Sequence, residues 1–541
     1  MSTESILAPE LSTARAERLR LIAAAVFVFA GFALRMVLSW LDIEILFQKL
    51  VVDDAFFYLK LAQNIAAGNG ATFDGEVMTN GFQPVFALLL VPIFLLNPAN
   101  TLLPLHIALS ILSVFSTLSG IVLYAIARRI GGTIAALITL FIWMFNPYAI
   151  MISLSGVEVA VLVFFEALSV LYYVKLKKEG KFGPLSMAVL GILLALAILS
   201  RVDAVFLYAA VSIDIIWTFY KKEKKFPVLA KRILWMIIAS AVVSVPWLLW
   251  NIATFGTFQQ VSGVVLPFTA HSMYKAKYGS YFSLNFIRQE LYYLKTWIAT
   301  IIQYGGGAPL LFSCLGFFVA ARVLGQGGFE KTDPSPPRVN FLFVFFAFTV
   351  SFYAFYFWGW LRPWYYLSLL IPVTLFLGYA LSFVCRGVAA RGFAWMRKWA
   401  VSLLLILLSG YFVYYGRQAW GTGLFAFQKQ LYDATLWIDD NLEPDARIGA
   451  FSSGIFGYLS NRTVIDLAGV VNAEVHRARL DKSLSTYFRQ KELDYLIDRP
   501  DMVEFNLMFS EVDYRRNLVA IKRFGPLPSD LCVYKFNYDS P

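Results

Sequence analysis

Two adjacent carboxylates, Asp53 and Asp54, follow the apolar Leu50-Val51-Val52 and open a run in which Phe56, Phe57, Leu61 and Ile65 can share one helix face. A carboxylate at a dry membrane boundary can be tuned to accept a proton from a hydroxyl, while a neighbouring acid positions it or a cation. Adjacent residues at a helix start point in different directions, so the two need not act on one atom. Asp53, at the junction with the apolar segment, is the expected base, and Asp54 the expected helix cap or partner. The competing reading is a solvated helix start stabilised by the dipole. Beyond this helix, Gly68, Gly70, Gly75 and Gly81 break regularity, and Thr79-Asn80-Gly81-Phe82-Gln83-Pro84 returns the chain to apolar sequence.

Cations stand at comparable boundaries. Arg201 and Asp203 occupy a turn between two apolar runs, and Arg362 lies between Trp360 and Trp364. Each arginine reads either as an interfacial anchor or as a ligand for an anionic headgroup. Glu158 opens an apolar run as Ser155-Gly156-Val157-Glu158, where an N-terminal acid is also favoured by the helix dipole. Glu166 and Asp214 lie deeper in apolar sequence and need polar partners that the sequence does not name. His271 and His476 stand without metal-ligand spacing, as do Cys314, Cys385 and Cys532. No GxxxxGK[ST] phosphate loop is present, which argues against a nucleotide-driven machine.

The elements that must position these groups are membrane helices. Of 541 residues, 59% are hydrophobic and only 15% charged, a composition outside the range of soluble domains. Apolar runs of membrane-spanning length place about eleven helices near 21–41, 102–127, 134–154, 157–175, 184–200, 204–220, 233–250, 305–323, 339–359, 364–385 and 399–415. The net charge of +11 gathers between these runs, at 175–181, 221–225 and 386–398, so it records topology rather than nucleic-acid binding. A cytoplasmic N-terminus with 83–97 not spanning puts those clusters inside. The Asp53 loop, the Arg201 turn, the loop 251–300, Arg362 and everything after about 416 then fall outside. Segment 324–338 reads as a flexible linker. The tail 417–541 has ordinary polarity, a helical signal over Lys429–Asn441 and strand-like stretches at Arg447–Phe451, Arg462–Leu467, Leu518–Ile521 and Cys532–Phe536. The expected architecture is an all-α polytopic membrane protein with a small α+β extracytoplasmic C-terminal domain.

The combination resembles the GT-C superfamily of membrane glycosyltransferases. The resemblance is closest to a bacterial branch with TNGxxP, SGxE, RxD, FGxxxxSG and RxWY motifs. Here these read Thr79–Pro84, Ser155–Glu158, Arg201–Asp203, Phe255-Gly256 with Ser262-Gly263, and Arg362–Tyr365. The tail segments Gly457–Arg462 and Asp466–Asn472 share that likeness, whereas Val202 and Ala204 replace the branch's proline and glycine. The resemblance implies a catalytic membrane domain over 1–416, with a first outer loop at 42–82, and a soluble domain over 417–541. It implies a polyprenyl-phosphate-linked sugar as donor, a glycan, lipid or protein acceptor, and inversion at the anomeric carbon on the outer face of a plasma membrane. Asp53 and Asp54 would be catalytic and Arg201 and Arg362 would bind the donor phosphate. Asn80, Gln83, Glu158, Asp203 and Tyr365 would line the donor and acceptor pocket. No cofactor and no nucleic acid are expected, and a divalent metal is left open. Two rivals stand beside this reading: a transporter or flippase using Glu166 and Asp214, and a non-catalytic envelope scaffold whose tail binds glycan.

Overall fold

Residues 4–96, 102–222, 226–279, 283–305, 339–357, 362–391, 394–423, 427–527 and 529–538 are described by a computed structural model. Among them, seven helices are long and apolar enough to cross a membrane: Arg15–Ser39, Leu103–Phe145, Val159–Glu179, Val202–Phe219, Ala230–Phe255, Pro363–Cys385 and Trp399–Thr422. Shorter apolar helices at Pro184–Ser200 and Asn340–Phe355 match two further expected spans. The span expected at 305–323, with Cys314, and the linker 324–338 lie outside the described residues, as does Trp360. The protein is a multi-pass, mostly helical membrane protein.

Leu103–Phe145 covers two expected spans because Gly132, at φ 81°, breaks it into two helices. The second of these stops at Phe145 rather than 154. Asn146-Pro147 ends it, and the Asn146 side chain accepts the N–H groups of Tyr148 and Ala149 to start the short helix Pro147–Ser153. The orphaned carbonyls of the broken helix find a partner the sequence did not announce. Fully buried Arg35 donates to the carbonyls of Trp143 and Met144 at 3.2 and 2.9 Å and to Ser116 Oγ at 3.0 Å. A buried arginine thus does the work of a helix C-cap. Pro84–Leu96 has 13 residues with Pro92 inside it. At 1.5 Å per residue this is about 20 Å, short of a hydrocarbon core of about 30 Å.

The C-terminal unit begins after the helix Ala394–Thr422 and carries a five-stranded sheet. Its strands are β1 (Arg447–Ala450), β2 (Thr463–Asp466), β3 (Tyr495–Asp498), β4 (Leu518–Arg523) and β5 (Cys532–Phe536), in the order β2-β1-β3-β5-β4. β1 pairs in parallel with β2 and β3, while β5 runs antiparallel to β3 and β4. The expected helix is present as Gln428–Asn441. The strand missed from sequence is β3, buried at every position, so it shows no alternation to read.

This unit docks on the loop between the first two membrane helices. Arg447 forms a two-pronged ion pair with Glu76, at 2.8 and 3.0 Å. Gly457 lies flat on the Phe73 ring, where an added Cβ would come within 2.2 Å of Cζ. Phe56 meets Tyr458 with ring centres 5.8 Å apart. Loop, membrane helices and sheet share one hydrophobic core.

Candidate active site

Asp53 and Asp54 form the first turn of the helix Asp53–Ala66. Val52, which precedes it, donates its N–H to the Ser155 carbonyl at 3.1 Å. Gly156 then passes so close that a Cβ there would lie 2.5 Å from Ala55 Cβ, and its φ of 85° suits only glycine. The Ser155-Gly156 pair is therefore a seat for the acidic turn, and it delivers Glu158 beside it.

The two acids separate at this point. Asp53 turns to the C-terminal domain and accepts the N–H groups of Gly454 at 3.1 Å and Ile455 at 2.8 Å. Asp54 faces a cavity of about 500 Å³, whose lining also includes Tyr58, Gln83, Glu158, Arg201, Asp203 and Tyr365. Asp53 is not part of that lining. Asp54, rather than the expected Asp53, therefore faces the cavity, because adjacent residues on a helix start point in different directions. Burial pushes the Asp53 carboxyl up to about 7, against the two N–H bonds that lower it and with the charges of Asp54 and Asp498 raising it further. Burial also raises Asp54, with Glu158 adding to the rise and Arg362 and Arg201 opposing it.

Arg201 sits in extended backbone between two helices, followed by a 3-10 turn over Val202–Ala204, so the turn forms without the branch's proline and glycine. Its guanidinium donates to Glu158 Oε1 at 2.6 Å, to Asp203 Oδ2 at 3.0 Å and to Tyr353 Oη at 3.4 Å. It also lies 4.5 Å from the Tyr365 ring centre. Tyr58 donates to the second oxygen of Glu158 at 2.8 Å, and Tyr353 donates to Asp203. All three kinds of donor nitrogen on Arg201 are engaged, which makes it the hub of a buried network. Arg362 is exposed and not part of the cavity lining, 5.9 Å from the Trp364 ring centre, and its charge lowers the affinity of Asp54 for a proton.

Asn80 is buried outside the cavity lining. It donates to the Gln259 carbonyl at 3.1 Å and accepts from Val261 N–H at 3.0 Å, stapling the first loop to the segment 259–261. Gln83 and Gln260 do line the cavity and bond to each other at 3.2 Å. Tyr58 was legible in principle, one helical turn after Asp54. Tyr353 and Trp247 carried no comparable signal and Val470 only the likeness of the tail segment Asp466–Asn472, since only the tertiary fold brings them to the cavity. Among the described residues no group of three His, Cys, Asp or Glu side chains is arranged to hold a metal.

The two intramembrane acids differ. Asp214 accepts from Lys177 and Tyr173, both at 2.6 Å, whereas Glu166 is buried with its Oε2 unpaired among the described residues.

Known proteins place this arrangement. Residues 86–250 match the family model described as dolichyl-phosphate-mannose-protein mannosyltransferase, which includes Glu158, Arg201 and Asp203 but not the acidic pair. The fold is similar to ArnT from Cupriavidus metallidurans bound to undecaprenyl phosphate, with a TM-score of 0.57 at 12% identity over 95% of this chain and 98% of that one. The fold is GT-C. The same GT-C arrangement is seen in the Archaeoglobus fulgidus oligosaccharyltransferase tethered to an acceptor peptide, at TM-score 0.59 and 13% identity over 97% of this chain and 74% of that one. The Archaeoglobus fulgidus AglB complex with an inhibitory peptide and a dolichol phosphate matches at TM-score 0.55 and 11% identity, over 95% and 75% of the two chains. Residues 423–538, beyond the GT-C helices, match a domain of unknown function, DUF8728. No curated protein matches the sequence.

Proposed function

We propose that this protein is an inverting glycosyltransferase that moves a sugar from a polyprenyl-phosphate donor to a hydroxyl or amide acceptor on the outer face of a plasma membrane. The observation that carries the reading is Asp54: a carboxylate with a raised proton affinity, in a cavity at the head of the helix bundle, with Arg201 and Arg362 beside it.

In this reading the acceptor oxygen or nitrogen attacks the anomeric carbon while Asp54 takes its proton. The bond between that carbon and the phosphate oxygen breaks, and the electron pair leaves with the lipid phosphate. Arg362, exposed and coupled by charge to Asp54, meets the phosphate charge as it grows. Arg201, already committed to Glu158 and Asp203, contributes its field and holds Glu158 in place. Asp53 anchors the catalytic turn to the C-terminal domain, and Gln83, Glu158, Asp203 and Tyr365 shape the pocket. Catalysis then belongs to the membrane unit, residues 1–416 with the loop 42–82, and the unit 417–541 supports it. Undecaprenyl and dolichol phosphate in two structures of the same fold support a donor of this chemical class. The transporter reading loses one of its two acids, because Asp214 is paired with Lys177 at 2.6 Å.

The test is a panel of undecaprenyl- and dolichyl-phosphate hexoses and pentoses, presented to purified protein together with a mixture of glycan, lipid and protein acceptors, with released lipid phosphate read by mass spectrometry. Release from at least one donor is expected. No release from any of them contradicts the proposal.

A further inference from the structure

One wall of the cavity comes from the C-terminal domain. Val470 lines it together with Gly81, and the two approach so closely that a Cβ on Gly81 would lie 2.0 Å from the Val470 carbonyl oxygen. The loop that presents Val470 is fixed from both sides. Asp466, buried at the end of β2, accepts the N–H groups of Ala468 at 2.9 Å and Val471 at 3.0 Å. Arg479, 3% exposed, donates to the carbonyls of Leu467 at 2.8 Å and Ala468 at 2.7 Å. Gly469 takes the left-handed turn between them at φ 81°. Asp466 also accepts from Ser453 Oγ at 3.2 Å, and the next two residues, Gly454 and Ile455, are the pair that bind Asp53. Loop, short helix and acidic turn are one hydrogen-bonded unit. A loop held by this many hydrogen bonds is constrained in shape.

We propose that this loop, Leu467–Asn472, contacts the transferred sugar, that Val470 sets which sugar fits, and that Asp466 and Arg479 are positioning residues. The proposal rests on the glycosyltransferase reading. A polyprenyl tail stays in the bilayer, so the wall supplied by a soluble domain faces the other end of the donor. The chemistry of that wall suits a neutral ring: Val470 offers an apolar surface to C–H groups, and Gln83 and Gln260, in the same lining, offer amides to hydroxyls.

The test uses the full chain in lipid nanodiscs. Its first arm needs no substrate: amide hydrogen exchange of the loop is followed in wild type and Gly81→Leu. The added side chain is expected to raise exchange at the loop about tenfold, by forcing it off the cavity. Unchanged exchange means the loop is not held there and overturns the proposal. The second arm uses two donors, the panel donor that turns over fastest and one differing by a single hydroxyl. Val470→Trp should lower kcat/KM by about 10²-fold, the scale of a misplaced substrate, with loop exchange and affinity for undecaprenyl phosphate unchanged. Val470→Ala and Asp466→Asn should each shift the ratio of the two kcat/KM values by about tenfold, which a merely structural role for Asp466 would not do. Wild-type kcat/KM in Val470→Trp overturns the proposal with the glycosyltransferase reading intact. A wild type inactive on the whole panel removes that reading instead, and the exchange arm still decides whether the loop walls the cavity.

Discussion

At the scale of single residues, the site is built on unequal partners. Arg201 stands between Glu158 and Asp203, with all three side chains at least 86% buried. Removing one member of such a cluster leaves uncompensated charge, at a cost of about 3–5 kcal/mol. Arg201→Met is therefore expected to lower the midpoint of thermal unfolding as well as turnover. Arg362 is exposed, so Arg362→Met should lower the midpoint less than Arg201→Met and weaken binding of undecaprenyl phosphate, by about 1.5–3 kcal/mol for one charge-assisted contact. Calorimetry and lipid-binding titrations on the two variants check this split, and the same phenotype in both would refute it. Asp54 also fixes the sign of the pH dependence. Only its ionised form accepts a proton, and its value is raised, so the rate should climb with pH through a limb displaced above the usual carboxylate range.

Elements come next. The helix Asp53–Ala66 is held from below by Ser155-Gly156 and from above by Gly454-Ile455, so either contact controls where Asp54 points. Gly156→Val forces a β-branched residue to φ 85° and into Ala55, and should cost turnover more than it costs expression. Asp53 adds a pH-dependent contribution. Its folded value of about 7 lies above the ordinary 3.8, so the folded chain binds that proton more tightly than the unfolded one. The contribution of Asp53 to stability is then greatest below 3.8 and declines as pH rises to about 7, where it levels off. Thermal unfolding across this window should show a fall in wild type that Asp53→Asn flattens. These contacts explain what the sequence left unread. That acids stood at the head of a helix was legible from Asp53-Asp54 and the apolar stretch before them. Which acid entered the cavity depended on Gly454 and Ile455, some 400 residues away, and no local pattern carries that information.

For the whole molecule, apolar run length was enough to place the described membrane helices, because a bilayer imposes one length on every crossing. Less visible were the breaks: the kink at Gly132, and the stop at Phe145, where Arg35 caps the carbonyls of Trp143 and Met144. The buried strand β3 escaped for the same reason, since its pattern reports burial and not period. The charge pattern also makes an orientation prediction. Cysteines introduced at Lys178 and at exposed Asn461 should label from opposite sides of sealed vesicles, Lys178 from the cytoplasmic side. Labelling of Lys178→Cys from outside would reverse the topology and move the site to the other face.

The central claim is that Asp54, and not Asp53, is the base. It is tested most directly by single-turnover kinetics of Asp54→Asn and Asp53→Asn in purified full-length protein, with the best panel donor and its acceptor. Asp54→Asn should fold, bind undecaprenyl phosphate like wild type and lose about 10²–10⁴-fold in the chemical step, the usual loss for a general base. Asp53→Asn should keep measurable turnover and show faster amide exchange at Gly454 and Ile455. A chemical step in Asp54→Asn as fast as in wild type would contradict the account.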